Sequence, residues 1–229
     1  MPVEQRRPHP LRIAGATIDD PMPIWRAYAR LYSATIRGYD LRRPGDPNVL
    51  TAEEAWCSRI IGSRLTRRER DQLVRRAAGP DCPWGDVRAD ADLADADPAA
   101  TGGDFDHAAL LYWYFTSPDR IRGVRVAKLH KVLHIKRPSL FPILDKQVRS
   151  LYRDHAVQWV GDLARLQVTI KDSPPYWAAI RADLVFNAPQ LQACRQELSA
   201  SREETAVLLA QLTDLRLQDI VAWHVAPRG

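Results

Sequence analysis

The sequence predicts an all-α fold of two helical lobes, and three observations carry that prediction. Apolar residues recur three and four positions apart in most segments between turn signals, which stacks them on one helix face. Ser or Thr precedes Glu by three residues at Thr51–Glu54, Thr66–Glu69 and Ser201–Glu204, the reciprocal pattern that satisfies orphan amides at a helix start. No alternating run is long enough for a substantial strand, and no segment repeats.

At 229 residues the chain can bury about 70% of its unfolded surface. No apolar run approaches the ~20 residues of a membrane span. MPVEQRRPHP has no apolar signal core, so a cytoplasmic location is expected. Cys57, Cys82 and Cys194 are odd in number and far apart, which fits a reducing compartment and argues against a disulfide framework. No Cys/His group has zinc-ligand spacing, so neither metal nor cofactor is expected. A net charge of +5 and a pI near 9.3 suit an acidic partner without specifying one.

Residues 1–20 lack a strong period and read as a loose arm; residues 21–229 read as one helical unit. Its first lobe is expected over about 46–153, its second over about 21–45 plus 154–229. Pro23 to Ser33 forms a helix with Trp25, Ala29 and Tyr32 on one face. RGYDLRRPGDPN is an irregular basic connection, in which Tyr39 could stack on a base or plug a lobe edge. The helix capped by Thr51 buries Ala55, Trp56, Ile60 and Ile61. The helix capped by Thr66 is mostly charged, with Leu73, Val74 and Ala77 inward. Asp81–Asp106 is rich in Asp, Ala, Gly and Pro and reads as a long loop. It lacks the glycine and terminal glutamate of a calcium loop. Asp106 then caps HAALLYWYFTS, with Leu110, Leu111 and Tyr114 in the core and Trp113 a candidate cleft residue. Beyond Arg153 follow amphipathic helices over Val157–Thr169, from Pro174, after Ser201, and over Leu215–Trp223.

The chemistry concentrates in Arg120–Tyr152. Ser117-Pro118 starts a short helical turn, Gly123 breaks it, and a helix follows over about Val124–Lys136. Arg137-Pro138 ends that helix, because a residue before proline is pushed out of the helical region. The apolar linker LFPILD then leads to one carboxylate, Asp145, and a further helix. Arg125, Lys128, Lys131, Lys136, Arg137, Lys146 and Arg149 are strung along this span with little acidic opposition. Cations gathered from several turns are what a phosphate backbone requires, though a solvated basic surface shows the same pattern.

That order resembles the helix-hairpin-helix DNA glycosylase superfamily. The resemblance places the hairpin at 117–137 with Gly123 as its glycine, Pro138 and Pro142 on the linker, and Asp145 at the catalytic carboxylate after one extra residue, Leu144. It implies duplex DNA as partner. Arg125 stands where bifunctional members carry a Schiff-base lysine, and a guanidinium cannot serve as that nucleophile. The stretch is also similar to a bacterial domain of unknown function with a KLL-x-x-KRP-x-LIP-x-x-D core. YSATIRGYDL, DPNVLTAEEAW, ADLADAD and LRLQDIVAWHV fit it as well, Asp219 falling on its terminal motif.

The implied reaction is hydrolysis of a base–sugar bond. A carboxylate stabilises the oxocarbenium-like transition state and orients water, once the base has been flipped into a pocket. Tyr39, Trp113, Tyr114, Trp223 and His134 are the pocket candidates. His130 or His134 could hydrogen-bond Asp145, and Asp145 could equally be only a helix cap. The alternatives are a non-catalytic nucleic-acid-binding module and a protein-interaction module with a basic face.

Overall fold

The computed structural model describes residues 9–117 and 121–227. Ahead of the first helix, where a loose arm was expected, lies an antiparallel hairpin of β1 (Leu11–Ile13) and β2 (Ala16–Ile18). Ala14 and Gly15 both have positive φ, the geometry of a tight two-residue hairpin turn. Leu11 and Ile13 are fully buried. Asp183 and Asn187 accept the Ala14 and Arg12 amides at 2.7 and 2.8 Å, and Asn187 returns a bond to the Arg12 carbonyl. Three residues per strand are too few for the alternation to show in sequence.

α1 (Met22–Leu31) buries Trp25, whose indole donates to the Leu217 carbonyl. α2 (Ser33–Thr35) widens into a π-type turn, Ile36–Asp40, where the sequence suggested an irregular connection. α3 (Ala52–Cys57) and α4 (Arg67–Ala77) start at the expected capping boxes, both reciprocal. The Ser201–Glu204 box does not form. Ser201 Oγ instead accepts from the Glu203 amide, and α9 (Glu204–Leu209) begins past it.

α5 (Asp104–Thr116) begins two residues before the cap expected at Asp106. Asp106 instead accepts from the Gly102 amide and pairs with Arg165 at 2.7 Å. Leu110, expected inside, is 50% exposed, while Leu111, Tyr112 and Phe115 face the core. α6 is Val126–Lys136. α7 (Lys146–Asp162) is one continuous helix, because DHAV at 154–157 holds no glycine or proline to break it. α8 (Pro174–Ser199) has 26 residues, about 39 Å long, and tolerates Pro189 inside. α10 (Asp214–Val225) follows α9.

Trp177 on α8 anchors the middle of the core, with edge-on contacts to Phe105, Tyr112 and Phe141. The long Asp-rich segment before α5 also packs inward, burying Trp84, Val87, Ala91, Leu93 and Ala96. Among the described residues, no helix is long and apolar enough to cross a membrane.

Candidate active site and nucleic-acid interface

α6 is entered through a turn in which the Val124 amide donates to the Ile121 carbonyl and Gly123 takes φ +91°. The left-handed backbone favours glycine, and a Cβ there would lie 2.2 Å from Glu69 Oε1 and push aside the carboxylate that holds Lys128. The short helical turn expected from Ser117-Pro118 falls on 118–120, outside the described residues. Arg125 occupies the N-cap of α6 without a side-chain cap, which leaves the first amides of the helix open.

The linker after α6 opens on a turn, in which the Arg137 carbonyl accepts from the Leu140 and Phe141 amides, and then runs buried through Phe141–Leu144 to Asp145. Thr213 donates to the Pro138 carbonyl, His134 Nδ1 to the Phe141 carbonyl, and the Ile143 amide to Asp219 Oδ2 at 2.8 Å. Ile143 faces a cavity on one side, Leu144 a groove on the other, and Asp145 lines both. Asp145 also caps α7, the simpler of its two expected roles. Its Oδ1 accepts from the Gln147 and Val148 amides at 2.9 and 3.0 Å.

The cavity, of about 240 Å³, is built from α1, α6, α10 and the segment at Ile60–Gly62. Tyr32 and Trp223 form an aromatic wall, edge to face at 6.0 Å. Its polar floor is a network: Arg216 bonds Asp40 at 2.8 Å and the Tyr28 hydroxyl at 2.7 Å, and that hydroxyl donates to Asp40. Burial pushes the Tyr28 phenol up. Burial works against the Arg216 charge, but Asp40, Tyr28 and Asp219 hold its pKa above the ordinary value. Asp219 is 2% exposed. Burial pushes it up to about 7, with Asp145 and Asp40 adding to the rise and Arg216 and the Ile143 amide opposing it. Lys131 reaches the same cavity and donates to the Ile61 carbonyl at 2.8 Å. Burial lowers its pKa, and Asp145 partly restores it.

The groove is wider, about 540 Å³. Arg125, Lys146, Arg149, Arg153 and Lys171 line it against one carboxylate, Asp145. Arg149 is fixed by the Lys171 carbonyl and lies over the Tyr176 ring. The first turn of α6 opens onto it through Val126 and Ala127.

Several expected site residues lie elsewhere. Lys136 and Arg137 are 1% and 0% exposed. Lys136 pairs with Glu54 at 2.8 Å, and Arg137 donates to the Pro47, Lys136 and Val87 carbonyls. Neither can reach a phosphate. Lys128 is clamped by both Glu69 oxygens at 2.8 and 2.9 Å. Tyr39 is buried, stacked on His134 and donating to the Lys131 carbonyl, so it offers no face to a base. His134 is sealed with it. His130 bonds the Val126 carbonyl and accepts from the Trp177 indole, so neither histidine serves Asp145. Tyr114 donates to the Arg76 carbonyl, and Trp113 packs on the core; neither lines the cavity. Trp223 does. The sequence alone suggested no chemical role for Tyr28, Asp40, Arg216 or Asp219. They converge only on folding, the Arg216–Asp40 pair across 176 residues. Among the described residues, no group of three or more His, Cys, Asp or Glu could hold a metal ion.

No curated protein and no solved structure matches the chain. Residues 84–226 match a family of unknown function, DUF6308. That match spans both carboxylates, the linker and the cations of the groove, and takes in more than half of the sequence: the chain belongs to the DUF6308 family.

Proposed function

We propose that the protein binds duplex DNA through the groove at the start of α6 and α7 and hydrolyses a base–sugar bond, with Asp145 as the carboxylate. One observation carries this reading: Asp145 lines a cation-lined groove on one side and an aromatic cavity on the other. Phosphates held in the groove would leave a flipped base facing the cavity, with its sugar beside Asp145. The glycine turn ahead of α6 and the open amides of its first turn serve as the hairpin of a helix-hairpin-helix element, giving backbone donors to phosphate. Asp145 then stabilises the positive charge developing on the sugar and takes a proton from the attacking water. The three unpaired cysteines suit the reducing cytoplasm in which such a protein would work.

Asp145→Asn tests the assignment. Asparagine caps a helix about as well as aspartate, so the variant should unfold within a few tenths of a kcal/mol of the parent. It should bind duplex DNA with unchanged salt dependence and release no base from a substrate that the parent cleaves. Undiminished release removes Asp145 from the chemistry. Salt-dependent DNA binding with no release by the parent, across a panel of damaged bases, leaves a non-catalytic binding module in its place.

A further inference from the structure

The cavity contains a second carboxylate with a free oxygen. Asp219 Oδ2 is occupied by the Ile143 amide, while Oδ1 makes no hydrogen bond among the described residues and the residue lines the cavity. Arg216, on the same helix, has its charge matched by Asp40 at 2.8 Å. Tyr28 from α1 and Tyr39 from the wide turn are phenols whose pKa is raised by burial. From α7, Asp145 and the buried Tyr152 face Asp219, and Lys131 enters the cavity from α6. Burial holds Asp219 at about 7, so a large fraction is protonated at neutral pH. The Ile143 amide must meet an oxygen that accepts, so the proton resides on Oδ1, the oxygen without a protein partner. Asp145 sits instead at the junction with the open groove, its Oδ1 held by two amides. Two carboxyl groups with such different surroundings divide into an acid and a base.

We propose that Asp219 is the proton donor to the departing base, and that the site accordingly takes nucleotides whose base is uncharged and cannot leave without a proton. This rests on the base-release reading above. In the step, the bond between C1′ and the base nitrogen breaks and its electron pair goes to the base. The Asp219 Oδ1 proton passes to a ring acceptor of that base. Water forms the new C1′–O bond and its proton goes to Asp145. The products are a neutral base and the sugar hemiacetal; solvent then reprotonates Asp219 and takes the proton from Asp145. A purine alkylated at N7 or N3 already carries positive charge, leaves neutral, and does not need the donor.

Single-turnover release of hypoxanthine and of 7-methylguanine from otherwise identical duplexes tests this. Asp219→Asn keeps an acceptor for the Ile143 amide but has no proton of suitable acidity. It should release hypoxanthine 10²- to 10⁴-fold more slowly, the usual size of a general-acid effect, and slow 7-methylguanine release far less. In the unaltered protein, hypoxanthine release should fall with rising pH above about 7, and 7-methylguanine release should not. The second measurement needs no variant to fold. Equal losses on both duplexes, or no loss on either with no difference in pH profile, overturn the proposal and leave Asp145 its role. Asp145→Asn must impair both substrates. If it impairs neither, or if the parent releases neither base, the base-release reading falls and the donor with it.

Discussion

Two groups of cations along the span from α6 to α7 carry similar charge in sequence and opposite fates in the fold. At the groove, Arg125, Lys146 and Arg153 are exposed. At the C-terminal end of α6, Lys136 and Arg137 are sealed beneath the loop at Asp46–Asn48 and the Asp-rich segment, their hydrogen bonds going to carbonyls, Glu54 and Asn48. The difference teaches that a run of cations says nothing about which of them meet solvent. What decides is whether a distant acceptor arrives, and Glu54 arrives from 82 residues away. One group is spent on the protein's own packing; the other stays open to solvent.

The sharpest way to break that contrast is at the buried group. Lys136→Ala leaves the Glu54 carboxylate buried beside no cation, which should cost roughly 3–5 kcal/mol in urea unfolding. The folded fraction should keep the parent's salt dependence on DNA. A drop in salt slope instead would mean that Lys136 touches phosphate and that the division is misdrawn.

A change of pH probes the same buried side next. Burial pushes His130 down to about 3 and His134 to about 4. Protonating His130 would also oppose the bond it accepts from Trp177. Both histidines therefore take up protons on unfolding, so stability falls as pH drops from about 6.5 toward 4 by roughly 1.4 kcal/mol per unit for each. Asp219 has the reverse sign. Its raised pKa makes the folded state the better proton acceptor, so its contribution is fullest below about 4 and is lost as pH rises toward 7. Urea melts between pH 4 and 7 should show a net fall toward acid that steepens in Asp219→Asn. An unchanged slope in that variant contradicts the protonated Asp219.

The smallest stability effect belongs to the exposed group. Single alanine substitutions at Arg125, Lys146 or Arg153 should leave unfolding within about 0.5 kcal/mol of the parent. Each should shallow the plot of log K against log salt by about 0.9, the equivalent of one phosphate left unneutralised. A salt slope unmoved by all three would show that the groove is not where DNA lies.

Much of the local structure was legible because it depends on near neighbours. Two capping boxes, the glycine ahead of α6, the proline that ends it and the Asp145 cap each involve residues within a few positions of one another. The hairpin was not legible, since its strands are held by Asp183 and Asn187 of α8, more than 165 residues away. The cavity was not legible for the same reason. Tyr32 read as one more apolar helix residue, and Lys131 as one more cation. Only the packing of α10 beside α1 and α7, with Lys131 reaching in from α6, turns them into the walls of one chamber. Asp145 could be given a chemical role because its neighbourhood lies along the chain; Asp219, marked only by its place in a terminal motif, could not because its neighbourhood lies across it.

Arg137 has a consequence for how this chain tolerates change. Its guanidinium holds the Val87 carbonyl at 2.8 Å, and nearby the Leu93 amide donates to the Ser139 carbonyl. A stretch so rich in Asp, Ala, Gly and Pro has the composition of a dispensable surface loop, where insertions and protease cuts are usually absorbed. Here it is stitched to the end of α6 and to the first residues of the linker that presents Asp145. Lengthening or nicking it would loosen the lid over a buried arginine, and that disturbance would travel a few residues along the linker to the carboxylate.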